Sequence, residues 1–340
     1  NNNYAVRNAA ENGHFNVVKF LCLLDSVDPS AGDNYALRRA ASNGNLDIVK
    51  FLCSLDSVDP SARNNHAVRW AAENGNLNAV EFLCILDSVD PSAGDNYAVR
   101  WAAENGHLDV VKFLCSLDSV DPSVKDNYAV RWAAVNGHLN VVKFLCTLDS
   151  VDPSVRDNHA ICRASSNGHF NVVKFLSSVN SVDPSAQDNY AVKLAAENGH
   201  LSVVKLLCSL DSVDPSYEDN YAVRWAAENG HLDVVKFLCS LDSVDPSGKD
   251  NYALRWAAVN DHLNVVKFLC SLDSVDPSAR KSYAVRCAAE NGNLDVVKFL
   301  CSLDSVDPSA DGNYAIKLAA KNGYTDIVGF LCSLDSVDSS

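Results

Sequence analysis

The chain has 340 residues, with 43 Asp and Glu against 28 Lys and Arg, for a net charge of −15 at neutral pH. At 47% hydrophobic and 21% charged it is not a disordered polymer, no run of about 18 apolar residues can span a membrane, and the acid surplus disfavours nucleic acid as a partner. No basic stretch leading into an apolar one opens the chain, so no signal peptide is expected, and the lack of Met marks a fragment, a processed product or a chain without its true start.

One motif recurs at a fixed spacing. Steps of 31 residues from Tyr4 land on Tyr35, His66, Tyr97, Tyr128, His159, Tyr190, Tyr221, Tyr252, Tyr283 and Tyr314, with no insertion or deletion between them. Eleven such repeats fill residues 1–340, which predicts a single array with no second domain.

Within a repeat the elements follow a common order. The first predicted helix runs from Tyr97 to about Glu104, after Asp95 and Asn96, both good N-cap residues, and Ala102 and Ala103 let a neighbouring helix approach closely. Asn105-Gly106 ends it, because glycine accepts the left-handed conformation that stops a helix. The second predicted helix, Leu108 to about Leu117, places Asp109 at the positive end of its dipole. Leu108, Val110, Val111, Phe113, Leu114, Cys115 and Leu117 surround most of it, which requires more than one packing neighbour. Pro122 breaks helix, and an extended loop returns to the next repeat. Two such small helices bury their faces only by stacking on neighbours, so an all-α solenoid is expected, a curved rod on the order of 100 Å long at roughly 8–10 Å between helices.

The segment Ala-Val-Arg-Trp-Ala-Ala-Glu-Asn-Gly-His-Leu-Asp-Val-Val-Lys-Phe-Leu at 98–114 resembles the centre of an ankyrin repeat. That family shows T-P-L-H-x-A-A, then G-H-L-E-hydrophobic-V and a pair of Leu, on a period of about 33 residues. The resemblance spans the whole chain and implies an ankyrin-type helix-turn-helix solenoid with short extended loops or β-turns between repeats. It implies a protein-binding role, and an origin among protists or large DNA viruses. Tyr97-Ala98 replaces the family's Thr-Pro and Arg100 its His, which removes the usual bonds between repeats. The shorter turn predicts a stunted β-finger or an extended loop in its place.

Reading down the repeats separates packing positions from variable ones. Ten of the 12 Cys share one column, represented by Cys115; neighbours about 10 Å apart are too far for a disulfide, so these read as small buried hydrophobes in a reducing intracellular compartment. Cys162 and Cys287 lie outside the column and are candidates for greater reactivity. The His column of His107 matches the family's second-helix start, and the acidic columns of Asp118 and Asp121 read as solvated turn residues rather than calcium ligands. No metal, cofactor or catalytic group is expected.

Two variable columns are the candidate partner-binding residues. The first contains Trp70, Trp101, Trp132, Trp225 and Trp256, all the tryptophans of the chain, with Arg39 and Arg163. Trp and Arg are enriched at binding hot spots, and such a column fits the concave face of a solenoid. Equally, each indole could simply cover the neighbouring helix. The second, in the loop before Asp-Asn, contains Arg63, Lys125, Arg156, Lys249 and Arg280. The expected function is therefore a non-catalytic scaffold that binds a protein along the concave face, and the overall charge favours a basic partner. The alternative is a structural protein whose uncapped repeats stack end to end into a filament.

Overall fold

A computed structural model describes residues 2–334 of the chain. Among these residues lie 22 helices and no strand, an all-α solenoid of helix pairs. They form two compact units, one of Asn1–Ala160 with Phe175–Val182 and the other of Ile161–Lys174 with Asp183–Ser340. Both are built from the same pair of helices.

Ala93–Glu104 and Leu108–Cys115 show how a repeat is made. Ala98, Val99, Ala102 and Ala103 are buried, and first helices pack side by side on first helices, as Ala62–Glu73 does on Ala93–Glu104. The paired alanines keep the backbones close enough for this. Second helices line up in the same way, with Val110, Val111 and Leu114 fully enclosed. Each such Val or Leu contributes about 1.5–3 kcal/mol over its exposed state, and the motif supplies three per repeat. In the unit of Asp183–Ser340 the same arrangement joins Gly248–Val259 to Ala279–Asn291. Gly106, at φ +83°, stops the first helix as its position in the sequence predicts.

The start of the first helix departs from expectation. Asp95 and Asn96 do not cap it with their side chains. With Gly94 they form a left-handed turn, at φ +68°, +57° and +57°, closed by the Asn96 N–H donating to Ser92 O at 2.7 Å. The conformation costs roughly 1–2 kcal/mol per L-residue, less for Asp and Asn, whose short polar side chains suit it. The turn releases the buried Asn96 side chain for another bond: its Oδ1 accepts the Asp121 N–H at 2.9 Å. Asp121 Oδ1 in turn accepts from the Ser123 N–H at 2.8 Å and hydroxyl at 2.6 Å. The loop after the second helix is thus tied to the base of the first, and this Asp column is a structural turn. The second helix also ends earlier, at Cys115, because Ser116 and Leu117 donate to carbonyls three residues back in a tighter turn.

Candidate protein-binding face

The first-helix side of each unit is held together by polar side chains that cross from one repeat to the next. His107 Nε2 donates to Glu73 O at 3.0 Å, which places its proton on Nε2, and His231 and His262 make the same bond to Glu197 O and Glu228 O at 2.9 Å. Where Asn takes the position the bond persists: Asn76 Nδ2 donates to Ser42 O at 2.7 Å. The column therefore satisfies the carbonyls left open at the end of the preceding first helix.

Where the family motif has His, arginine bonds within its own repeat. Arg100 donates through Nε to Asp95 O at 2.8 Å and through Nη2 to Gly94 O at 3.0 Å, so it braces its own left-handed turn. Its guanidinium lies 5.0 Å from the centre of the next repeat's Tyr128 ring. Arg131 repeats the bracing to Asp126 O and Lys125 O, and only 6% of it is exposed.

The tryptophans stand on these tyrosines. Trp101 stacks on Tyr97 at 5.3 Å and Trp132 on Tyr128 at 5.6 Å; in the other unit Trp225 and Trp256 lie over Tyr221 and Tyr252 at 5.3 and 5.7 Å. Trp70 meets His66 edge-on at 4.2 Å. Three of these tyrosine hydroxyls donate to a carboxylate of the preceding repeat, Tyr128 to Glu104 at 2.6 Å, Tyr97 to Glu73 at 3.0 Å and Tyr252 to Glu228 at 3.2 Å. All five indoles are half-buried, whereas Leu194 and Cys287 of the same column are buried and Arg163 is exposed. Arg39 stands in for an indole: it binds the Tyr35 hydroxyl at 2.8 Å and lies 5.3 Å from the centre of the Trp70 ring.

The basic loop residues have partners within the array. Arg63 pairs with Asp33 and Arg156 with Asp126, each at 2.8 Å, and Lys125 pairs with Asp95 at 2.9 Å, holding that carboxyl below its ordinary range. Lys249 pairs with Asp219 at 3.3 Å, and Arg280 with Asp250. Lys281 and Asp311 reverse the polarity at 2.8 Å, and where Asn64 replaces the acid the loop residue of the next repeat is the uncharged Gly94. Adjacent repeats are therefore matched in charge at these positions, whereas the same spacing sets Asp188 against Glu218, and there Glu218 pairs with Lys193 at 2.6 Å instead. Sequence reading missed this because the partner lies 30 residues away; that spacing was the available signal.

Overlapping matches to a model of three ankyrin repeats cover residues 6–95, 68–157, 99–188, 132–219, 161–250, 192–281 and 254–339. The chain belongs to the ankyrin repeat family. A comparison with curated proteins gives no match.

In this ankyrin chain each of the twelve cysteines is a thiol rather than half of a disulfide. Those of the main column are partly buried except for the exposed Cys332, and burial pushes Cys115 up to about 12. Cys162 and Cys287, expected to be the reactive pair, are the two that are buried, and desolvation raises Cys287 to about 11. An inaccessible neutral thiol is a poor nucleophile, so their position corrects that expectation. No helix among the described residues is long and apolar enough to cross a membrane.

Charge is divided unevenly along each ankyrin repeat. Counted from the loop residue to the end of the first helix, the sequence places 19 of its 28 basic residues beside only 15 of its 43 acids. The second helices and the loops after them carry the remaining 9 basic and 28 acidic residues. The Trp-bearing segments are thus slightly basic within a strongly acidic chain.

Proposed function

We propose that the eleven repeats act as one non-catalytic array that binds a protein segment across the first-helix side, with Trp101 and Trp132 as its apolar anchors. The observation that carries this reading is the state of the indoles. They are fixed by stacking on Tyr97 and Tyr128 and yet remain partly open. A rigid, half-exposed aromatic loses little side-chain entropy on binding and offers a large apolar face. Family membership supports a protein-binding role in general, and the unbroken 31-residue register supports one array. Arg63, Lys125, Arg156, Lys249 and Arg280 sit beside this surface and select the partner through charge. A basic partner, favoured by the total charge, suits the acidic second-helix side better than the Trp side.

The test is affinity capture and titration with Trp101→Leu plus Trp132→Leu, a change that keeps a residue already present in the column as Leu194. Each hot-spot indole should account for about 2 kcal/mol or more of binding. Unchanged affinity for the captured partner, with a native circular dichroism spectrum, would remove the anchors from the proposal. Long fibres by negative stain would favour end-to-end stacking instead.

A further inference from the structure

Within the unit of Asn1–Ala160, a cleft of about 420 Å³ is lined by Arg100, Lys125, Asp126, Arg131, Trp132 and Arg156 together with Tyr128 and His159. Its charge is opposite to that of the chain. Lys125 is paired with Asp95 and Arg156 with Asp126, which leaves the guanidiniums of Arg100 and Arg131 in surplus, two positive charges. Both are pre-set, because each is fastened through Nε and Nη2 to two carbonyls of its own left-handed turn. Arg131 is nine-tenths buried, so its charge is poorly compensated by water, and Arg156 adds a further repulsion that a bound anion would relieve.

We propose that this cleft receives a phosphorylated side chain of an extended protein segment, with an apolar neighbour of the phosphoresidue resting on Trp132. A phosphate carries about −1.5 to −2 charges at neutral pH and matches the surplus, whereas a single carboxylate leaves half of it uncompensated. Guanidinium groups bind phosphate oxygens through paired donors, and fixed ones do so without losing side-chain freedom. The surrounding acidic loops repel a polyanion, so an isolated phosphate on a protein is favoured over a nucleic-acid backbone. This deepens the reading of the Trp side as a protein-binding surface and rests on it.

The test follows the Trp132 indole N–H by nitrogen-15 NMR in the whole chain, assigned with Trp132→Phe. The probes are a Leu-phosphoserine-Leu peptide with blocked ends, its Leu-Glu-Leu counterpart, inorganic phosphate and a short oligothymidylate. The phosphopeptide should shift the indole saturably and bind about tenfold or more tightly than either the Glu peptide or phosphate alone. Lys125→Gln with Arg156→Gln, at two exposed positions, leaves Asp95 and Asp126 uncompensated and should abolish the response. Arg255→Gln in the other unit should not alter it. A shift that only follows potassium chloride concentration, or survives the double substitution, overturns the proposal. Equal binding of inorganic phosphate makes this a free-anion site, and tighter binding of the oligonucleotide makes it a nucleic-acid site; both overturn it too. Loss of the peptide response while Trp101 and Trp132 still govern partner capture would end this inference alone. A retained peptide response with indifferent tryptophans would end the broader reading instead.

Discussion

Gly75 and His107 meet where a larger residue would not fit. A Cβ on Gly75 would stand 2.5 Å from His107 Nδ1, while the other ring nitrogen donates to Glu73 O at 3.0 Å. The glycine also holds φ +77°. One residue thus ends a helix and makes room for the side chain that joins the next repeat. Gly75→Ala should cost about 2–3 kcal/mol, from a left-handed alanine and a displaced imidazole that loses its bond. Asp261 occupies the same column at φ +60°, so Asp261→Gly should stabilise by about 0.5–1 kcal/mol. Urea denaturation of both variants checks the opposite signs; equal midpoints would dismiss the argument.

Ser165 stands where most repeats carry the second alanine of the pair, and it is fully buried with no hydrogen-bond partner for its hydroxyl. An unsatisfied buried hydroxyl is a net cost, and alanine fills the remaining volume. Ser165→Ala should raise stability by about 1 kcal/mol, read as a higher thermal midpoint. A lower midpoint would mean that the hydroxyl contributes a bond.

His66 accepts a hydrogen bond at Nδ1 from Arg38 Nη1 at 3.1 Å, which requires that nitrogen to be unprotonated. Burial, and then the charges of Arg38, Arg69 and Arg63, lower its pKa from 6.5 to about 4. The folded protein therefore holds this imidazole neutral where the unfolded chain already takes a proton. Its contribution is complete above pH 6.5 and is lost as the pH falls toward 4. His66→Tyr installs the residue most repeats carry there and should flatten the stability profile across that window. Parallel profiles for the two proteins would show that His66 is not coupled to folding.

Thiol labelling at pH 8 should proceed first at the exposed Cys332. The main-column thiols should follow slowly, and Cys162 and Cys287 should label only on unfolding. Mass spectrometry of peptides after timed alkylation distinguishes these groups. Early modification of Cys287 would contradict its burial and its raised pKa.

Much of the fold was legible because it depends on local pattern and on composition. Ala102 and Ala103, Val110, Val111 and Leu114 announce their packing faces by spacing alone, and Gly106 announces the stop. The left-handed turn was not legible. Asp95-Asn96 before a helix reads equally well as a cap, and only the bond from Asp121 to Asn96 reveals which arrangement satisfies more polar groups. For the candidate site, the Trp column was visible as a variable position, but its half-burial comes from Tyr97 and Tyr128 beneath the rings.

By itself, then, the sequence determined the eleven-fold period, the two helices of each repeat, their glycine stops and the absence of a membrane-length apolar run, all consequences of short-range spacing. Tertiary structure decided which charges meet. Arg156 and Asp126 are 30 residues apart and pair only because one repeat is seated on the next, and Arg131 becomes a buried cation only because its neighbours enclose it. Burial and ion pairing are properties of the stacked repeats, fixed by their register against one another, and no single 31-residue segment contains them.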